Sequence, residues 1–301
     1  MVNSLFKKKI AVIGKPGKWS TEILADAIAS KTGHREIIDM CDVSLDLRHN
    51  KLLYHGKNLC DFDALVIKKI SSKYNANTLD RLEMLRIAEH QGVKVFSSAE
   101  RIIRLLDRLS CTVTMRNHHI PMPDTAITEN VDKAYDIVKE FGSVILKPLF
   151  STKALGMVKV DSSSSKKHIY WQLIEFKKNH QMLYIQKYMQ LPGKDLGLIF
   201  LNGIYIGTYA RVKQGDSWNT TIHNGGKYES YTPSEQIINI ARKAQDLFNM
   251  DYTTVDIAET QEGPKVFEVS AFGGFRGALE GANIDAASLY TDHIITSLRN
   301  N

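Results

Sequence analysis

The stretch Val255 to Gly277, VDIAETQEGPKVFEVSAFGGFRG, sets the strongest limit on what this chain can fold into. It reads as two strands joined by a turn. The first closes on Thr254-Val255-Asp256-Ile257-Ala258, and the second is Lys265-Val266-Phe267-Glu268-Val269-Ser270. Between them, Gln261-Glu262-Gly263-Pro264 supplies a glycine free to take positive φ and a proline that presets a bend. Asp256 and Glu268 interrupt runs of core-forming residues, and in an antiparallel pair with this loop they come to one face. Two adjacent carboxylates repel, and burying them is costly without a compensating cation. Mg2+ takes hard oxygen ligands, commonly one or two carboxylates together with substrate phosphates. Two strand carboxylates turned to solvent fit the same spacing equally well.

The chain has 301 residues, 43% of them apolar, enough for two or three packed units. No apolar run reaches the roughly 18 residues of a membrane span, and Met1 to Lys9 lacks the apolar core of a signal peptide. Cys41, Cys60 and Cys111 are too scattered for a disulfide framework or a zinc site and read as free thiols in a reducing cytoplasm. The net charge of +6 suits phosphates or acidic peptides, and equally a solvated surface. No aromatic–basic platform accompanies it, so neither nucleic acid nor membrane is an expected partner.

Lys9-Ile10-Ala11-Val12-Ile13 followed by Gly14-Lys15-Pro16-Gly17 reads as a buried strand and turn, with Ser20 capping a helix to about Ser30. That opening implies a parallel α/β unit. Gly14 to Thr21 lacks the Gly-Lys-Ser/Thr ending of a phosphate loop. A hairpin is expected around His49-Asn50-Lys51. Ala64 to Ile67 is the next buried strand, and Lys68-Lys69 stand at its carboxyl end, where open α/β sheets bind ligands. Either that pair anchors substrate or it is a solvated edge. Leu79 to His90 is an amphipathic helix, and Ser97 or Ser98 caps another that closes the unit near Leu106.

Asp107-Arg108 opens a further helix, and Ile120-Pro121-Met122-Pro123-Asp124-Thr125 leads into a new strand. Lys147 ends the apolar Val144-Ile145-Leu146 run, so its charge is poised over a ligand or paired with an acid. Arg211 likewise ends the apolar strand Ile204 to Ala210, a placement that suits bidentate binding of phosphate or carboxylate. Thr232-Pro233-Ser234-Glu235 has the form of a capping box with proline in the first turn. Phe272-Gly273-Gly274-Phe275-Arg276-Gly277 offers backbone N–H groups and one cation for an oxyanion, or is a bare turn.

Lys147, Asp195, Arg211, Asp256 and Glu268 occur in an order and in contexts that resemble an ATP-grasp ligase, over most of residues 9–297. The branch that the chain resembles is the RimK-like one, with the ribosomal-protein glutamate ligase and glutathione-synthetase-like enzymes. The resemblance implies an α/β and α+β chain in the ATP-grasp fold: an N-terminal parallel α/β domain (1–106), a small lobe (107–188) and a C-terminal lobe with the metal site (189–301). It implies an ATP-dependent carboxylate–amine ligase acting through an acyl-phosphate, with ATP, a carboxylate substrate and an amine acceptor, small molecule or peptide, as partners. A homo-oligomer stays open. Arg108, Lys147, Ser151, Thr152 and Lys153 would contact phosphates. Gln186, Lys187, Tyr188 and Met189 would lie at the adenine, and Asp195 would hold the ribose. Asn219 and Thr221 would lie on the phosphate side, Asp256, Glu268 and Ser270 would bind Mg2+ or Mn2+, and Arg211 and Arg276 would be catalytic. The chain departs from the pattern at Gly197, where an arginine is common, at Lys187, where a glutamate is common, at Asn219 and Thr221 in place of Arg and Asn, and at Ser270 in place of Asn. These departures keep a second function in view, a nucleotide-binding regulatory module or a small-molecule kinase on the same fold.

Overall fold

Ile10–Ile13 (β1) is buried along its whole length, as an unbroken run of four apolar residues requires. It is followed by Trp19–Thr32 (α1), Ile37–Ile38 (β2), a small meander of Val43–Asp46 (β3), Lys51–Tyr54 (β4) and Lys57–Asn58 (β5), then Ala64–Ile67 (β6), Ala76–His90 (α2), Lys94–Phe96 (β7) and Ala99–Leu106 (α3). The structure is a computed structural model and describes residues 7–151, 154–213 and 226–300. The sheet order β2-β1-β6-β7 is parallel throughout, and both faces are covered, the usual condition for parallel strands. Ile10 and Val12 pack with Leu24 and Ile28 of α1. Ala11 and Ile13 pack with Leu82 and Leu85 of α2. The expected cap at Ser20 is not formed: α1 begins at Trp19 with Lys18 as its cap residue. The Glu22 carboxylate instead accepts the Gly17 N–H at 2.6 Å, which ties the turn to the helix. Ser98 does cap α3.

Arg108–Asn117 (α4) leads to Thr125–Thr128 (β8), Val131–Phe141 (α5), Val144–Lys147 (β9), Val158–Val160 (β10), Lys166–Lys177 (α6) and Leu183–Lys187 (β11). The strands form an antiparallel sheet in the order β10-β9-β11-β8. Its core is Ala134 and Val138 of α5 with Ile169, Leu173 and Phe176 of α6.

The remaining elements are Lys194–Leu201 (β12), Ile204–Val212 (β13), Lys227–Ser230 (β14), Glu235–Asp246 (α7), Tyr252–Thr260 (β15), Gly263–Val269 (β16), Phe275–Ala282 (α8) and Ala286–Arg299 (α9). Their antiparallel sheet runs β14-β13-β12-β15-β16. One face, with Leu196, Leu198, Phe200, Val255 and Ile257, packs on the buried stripe Ile237, Ala241, Ala244 and Phe248 of and just beyond α7. The capping box expected at Thr232 to Glu235 does not form. Ser234 is the cap and accepts from the Ile237 N–H, so Glu235 is the first helical residue rather than the third. Part of the other face is covered by α8 and α9 through Tyr209, Tyr252, Phe275, Ala278 and Tyr290. The same two apolar clusters include residues of the first sheet, so the N-terminal unit and the last sheet are packed as one body of core. An ion pair of Lys31 in α1 with Asp292 in α9 lies on that seam.

Candidate active site

Strand register builds the site. Asp195 stands opposite Arg211, and Gly197 stands between Tyr209 on one neighbour and Asp256 on the other. Asp256 stands opposite Glu268, as the sequence spacing leads one to expect. Since side chains alternate along a strand, Asp195, Tyr209, Arg211, Asp256 and Glu268 share the face that α7 leaves free. The β15–β16 register slips by one residue beside Asp256. Phe267 is the extra residue, and it and Glu268 both reach the cleft. Bulges of this kind re-aim side chains next to active sites.

One guanidinium serves two carboxylates. Arg211 Nε lies 3.2 Å from each Asp195 oxygen, and its Nη2 also bonds Asp195 and lies 2.8 Å from Asp256 Oδ2. Burial pushes the Asp256 carboxyl up to about 6; Arg211 opposes this, while Asp195 and Glu268 add to it. Burial works against the Arg211 charge too, but Asp256 and Asp195 hold it well above its ordinary value. The carboxylate face is therefore short of positive charge. Its donor set, Asp256, Glu268 and the neighbouring Ser270, is all hard oxygen and suits Mg2+ once phosphate oxygens complete the shell. Among the described residues no group of three or more His, Cys, Asp or Glu is arranged to hold a metal. A metal here would depend on the nucleotide for the rest of its ligands. Ser270 is fixed by its backbone: its N–H donates to Thr254 O at 2.9 Å, and its carbonyl accepts from Thr253 Oγ1 at 2.7 Å.

Lys147 faces this row from β9. It is the last residue of the strand and is buried, with Nζ donating to Gln186 Oε1 at 2.6 Å and lying 5.5 Å from the Phe267 ring centroid. Burial, and then the Arg108 charge, push it down to about 7, against the pull of Glu268. Arg108, the first residue of α4, donates through Nε to Pro148 O at 3.0 Å and through Nη2 to Ser151 Oγ at 3.2 Å, with Nη1 3.9 Å from Glu268. Between the two antiparallel sheets lies a cleft of about 410 Å³ that brings together Arg108, Lys147, Gln186, Lys187, Tyr188, Met189, Asp195, Arg211, Asp256, Glu268 and Ser270. Ser151 lines a smaller cavity of about 100 Å³ alongside, which shares Arg108, Glu268 and Ser270 with the cleft.

The strand end at Lys187 to Met189 borders the cleft, but two of its N–H groups are already used. Lys187 N donates to Asp124 O and Tyr188 N to Ser143 O, each at 2.8 Å. A nucleobase edge there would meet carbonyls and the Met189 N–H. Arg276 departs from expectation. It is not among the side chains lining the cleft. It lies exposed on α8, 3.0 Å from Glu280 one turn on and stacked on Trp19 at 4.8 Å. Its position in the first turn of α8 points it outward along the helix flank. Thr152, Lys153, Asn219 and Thr221 lie outside the described residues.

Tyr209 was not singled out by sequence. Its ring fills the space that Gly197 leaves: a Cβ on Gly197 would lie 2.3 Å from Tyr209 Cζ, and Cβ atoms on Gly277 and Gly281 would also collide with the tyrosine. Burial raises its hydroxyl far above the ordinary value, so it is a neutral group on the cleft wall. The signal was present in the period of two along β13, which puts Tyr209 on the same face as Arg211. Tyr228, opposite Arg211 on β14, reaches the cleft for the same reason.

Residues 106–294 match the family model for the RimK-like ATP-grasp domain. The tetrahydromethanopterin:alpha-L-glutamate ligase of Methanococcus maripaludis is 25% identical over 291 residues, covering 95% of this chain and 98% of its own. A probable alpha-L-glutamate ligase of Citrobacter koseri is 28% identical over 292 residues, covering 93% of each chain. Among solved structures, the ATP-grasp ligase PsnB with a minimal precursor superposes with a TM-score of 0.75 at 16% identity, over 97% of this chain and 100% of that one. D-alanyl-alanine synthetase A of Vibrio cholerae superposes at 0.72 with 15% identity, over 99% and 100%. The chain belongs to the RimK-like ATP-grasp family. Its fold is the ATP-grasp fold, and its class is that of an ATP-dependent carboxylate–amine ligase. ATP with magnesium is the family's working pair, and one PsnB structure holds Mg and ADP. No helix among the described residues is long and apolar enough to cross a membrane.

Proposed function

We propose that the cleft binds ATP between the lobes 107–188 and 189–301, with the nucleobase at Lys187 to Met189, a ribose hydroxyl at Asp195 and the phosphates between Lys147, Arg108 and Arg211. Asp256, Glu268 and Ser270 would hold Mg2+, or Mn2+ in its place. The ion's contribution would be to neutralise phosphate charge. The observation that carries this reading is the single sheet face that sets Asp195, Arg211, Asp256 and Glu268 beside the buried Lys147.

The chain's own residues have definite tasks in such a reaction. A substrate carboxylate oxygen attacks the terminal phosphorus, ADP leaves, and an acyl-phosphate forms. An amine nitrogen then attacks the acyl carbon, inorganic phosphate leaves, and the nitrogen gives up a proton. Arg211 would take the charge of the transferred group; what supports this is its planar fork, which spans two carboxylates and can exchange one of them for phosphate oxygens. Lys147, nearly dry, gives its charge at low dielectric when protonated. Positioning and fixed charge supply most of the rate in transfers of this kind.

The relatives' names point to L-glutamate as the first amine to test, with a peptide or small-molecule acid as the carboxylate that is activated and joined to it. The deciding experiment is ADP release with Mg2+ over a panel of acids and amines. Release that needs both an acid and an amine supports the ligase site. Release with an acid-free alcohol acceptor, or nucleotide binding with no turnover over the whole panel, would remove it.

A further inference from the structure

Lys68 lies just past β6 in the N-terminal sheet, where its N–H donates to Ile13 O at 2.9 Å. Its side chain leaves that unit altogether. Nζ donates to the carbonyl of Gly273 at 2.5 Å and sits 3.7 Å from the Phe275 ring centroid and 5.6 Å from that of Tyr252. The residue is 5% exposed. Burial pushes it down to about 7, and the other charge acting on it is the like charge of Lys69. No carboxylate pairs with it among the described residues. An ammonium held by one carbonyl and two ring faces is an expensive way to join two packed units, and a methionine would fill the same space at lower cost.

The carbonyl it holds belongs to the loop that ends the candidate site. Residues 270–274 join β16 to α8, and Ser270, Phe272 and Gly274 line the cleft. On one side the loop is pinned to β15 through Thr253 and Thr254. Gly273 lies so close to that strand that a Cβ would come within 2.6 Å of Tyr252 Cε1 and 3.0 Å of the Thr253 carbonyl carbon. On the other side Lys68 holds the Gly273 carbonyl, while Tyr74 meets Phe272 only by a tilted ring contact at 6.3 Å that leaves the peptide group free.

We propose that Lys68 is a positioning residue for the ligation, fixing the Gly273 peptide and with it the cleft-lining Ser270, Phe272 and Gly274; this rests on the ligase reading of the cleft. The residue touches no reactant. Its effect passes through one peptide group, and a displacement of about 1 Å at a reacting centre costs on the order of 10²-fold in rate.

The test compares the full-length protein with Lys68→Met and Lys68→Gln. Lys68→Met removes the charge and the donor but keeps the packing, so it should melt no lower than the wild type and bind Mg-ATP with little change. Amide hydrogen exchange in residues 271–276 should quicken on the order of 10- to 100-fold, the factor that matches leaving the buried Gly273 carbonyl without its donor. The kcat for ADP release should fall on the order of 10²-fold. Lys68→Gln, which keeps a neutral donor, should recover part of both. Wild-type exchange in 271–276 for Lys68→Met would overturn the proposal, as would a loosened loop with unchanged kcat. So would a lowered melting temperature with proportionate losses of binding and turnover in both variants, which marks a purely structural bridge. A wild-type protein that releases no ADP would overturn the ligase reading instead, and the exchange comparison would still decide whether Lys68 holds the loop.

Discussion

Asp256→Asn tests the charge balance of the site without any substrate. The folded protein holds the Asp256 proton more tightly than an unfolded chain does, with the carboxyl raised from 3.8 to about 6. A rise of that size is worth about 3 kcal/mol at about 1.4 kcal/mol per pH unit. The sign follows from proton binding. A raised acid contributes stability that is complete below pH 3.8 and is lost as pH climbs through about 6. Asparagine stands in for the protonated acid at every pH. The unfolding free energy of Asp256→Asn minus that of the wild type should therefore rise by about 3 kcal/mol between pH 4 and pH 7.5. Urea unfolding with chelator present, followed by tryptophan fluorescence at a series of pH values, measures the difference. Titrations common to both proteins cancel in it. A flat difference, or one that falls with pH, would mean that the pairing with Arg211 outweighs burial, and that the face is not short of positive charge. With Mg2+ and ATP added, the same variant should lose most of the ligand-dependent gain in stability.

Glu268→Gln should leave apo stability within about 0.5 kcal/mol, because its nearest cation, Arg108, is 3.9 Å away and the side chain is half exposed. It should also lose most of the Mg-ATP stabilisation, about 2.7 kcal/mol at a hundredfold excess over Kd in an intact site; a full melting shift in the variant would take Glu268 out of the metal site. Lys147, held near 7 in the free protein, should pick up a proton when phosphate arrives, so calorimetry of ATP binding at pH 8 should depend on the ionisation enthalpy of the buffer. Identical heats in Tris and phosphate would refute contact between Lys147 and the nucleotide. Gly197→Ala should destabilise by about 1–3 kcal/mol through overpacking, since Tyr209 is backed by Gly277 and Gly281 and has no room to retreat; denaturant midpoints should show the loss largely relieved in Gly197→Ala with Tyr209→Ala, and an additive double variant would contradict the clash.

The parts of the fold legible in sequence were those with a strong local signal. Buried β1 and β6 and the paired Asp256 and Glu268 all rest on period and turn chemistry, which one segment carries alone. Helix caps were less legible, because Ser20 and the Thr232 to Glu235 box compete with neighbours that give better geometry. Arg276 shows the limit of motif order. A helix start near the site does not say which flank a side chain takes, and in the structure Arg276 lies beside Glu280 one turn on. The period of β13 gives the face of Tyr209 but not its fit against Gly277 and Gly281, and Lys68 meets Gly273 and Phe275; these contacts join segments far apart in the chain, so no window along it contains them. Phe267 depends on a one-residue slip in pairing, which the hairpin's own sequence does not announce.

Arg211 joins the legible and the illegible parts. Its place at the end of an apolar strand pointed to an anion partner, and in the structure that anion is protein. Bound to both Asp195 and Asp256, it occupies the charge position that a cation at Asp256 would otherwise fill. One guanidinium between two partly buried carboxylates leaves the face negative, with Glu268 adding to the deficit. A divalent cation arriving with phosphate would change the sum. In the proposed complex Asp256 and Glu268 would hold it, which would free Arg211 from Asp256 for phosphate oxygens, better suited to the guanidinium fork than a shared carboxylate. Ion pairing in the free protein and phosphate binding in the complex therefore compete for the same side chain. Nucleotide and metal should each bind weakly alone and strongly together, because neither by itself both releases Arg211 and repays Asp256.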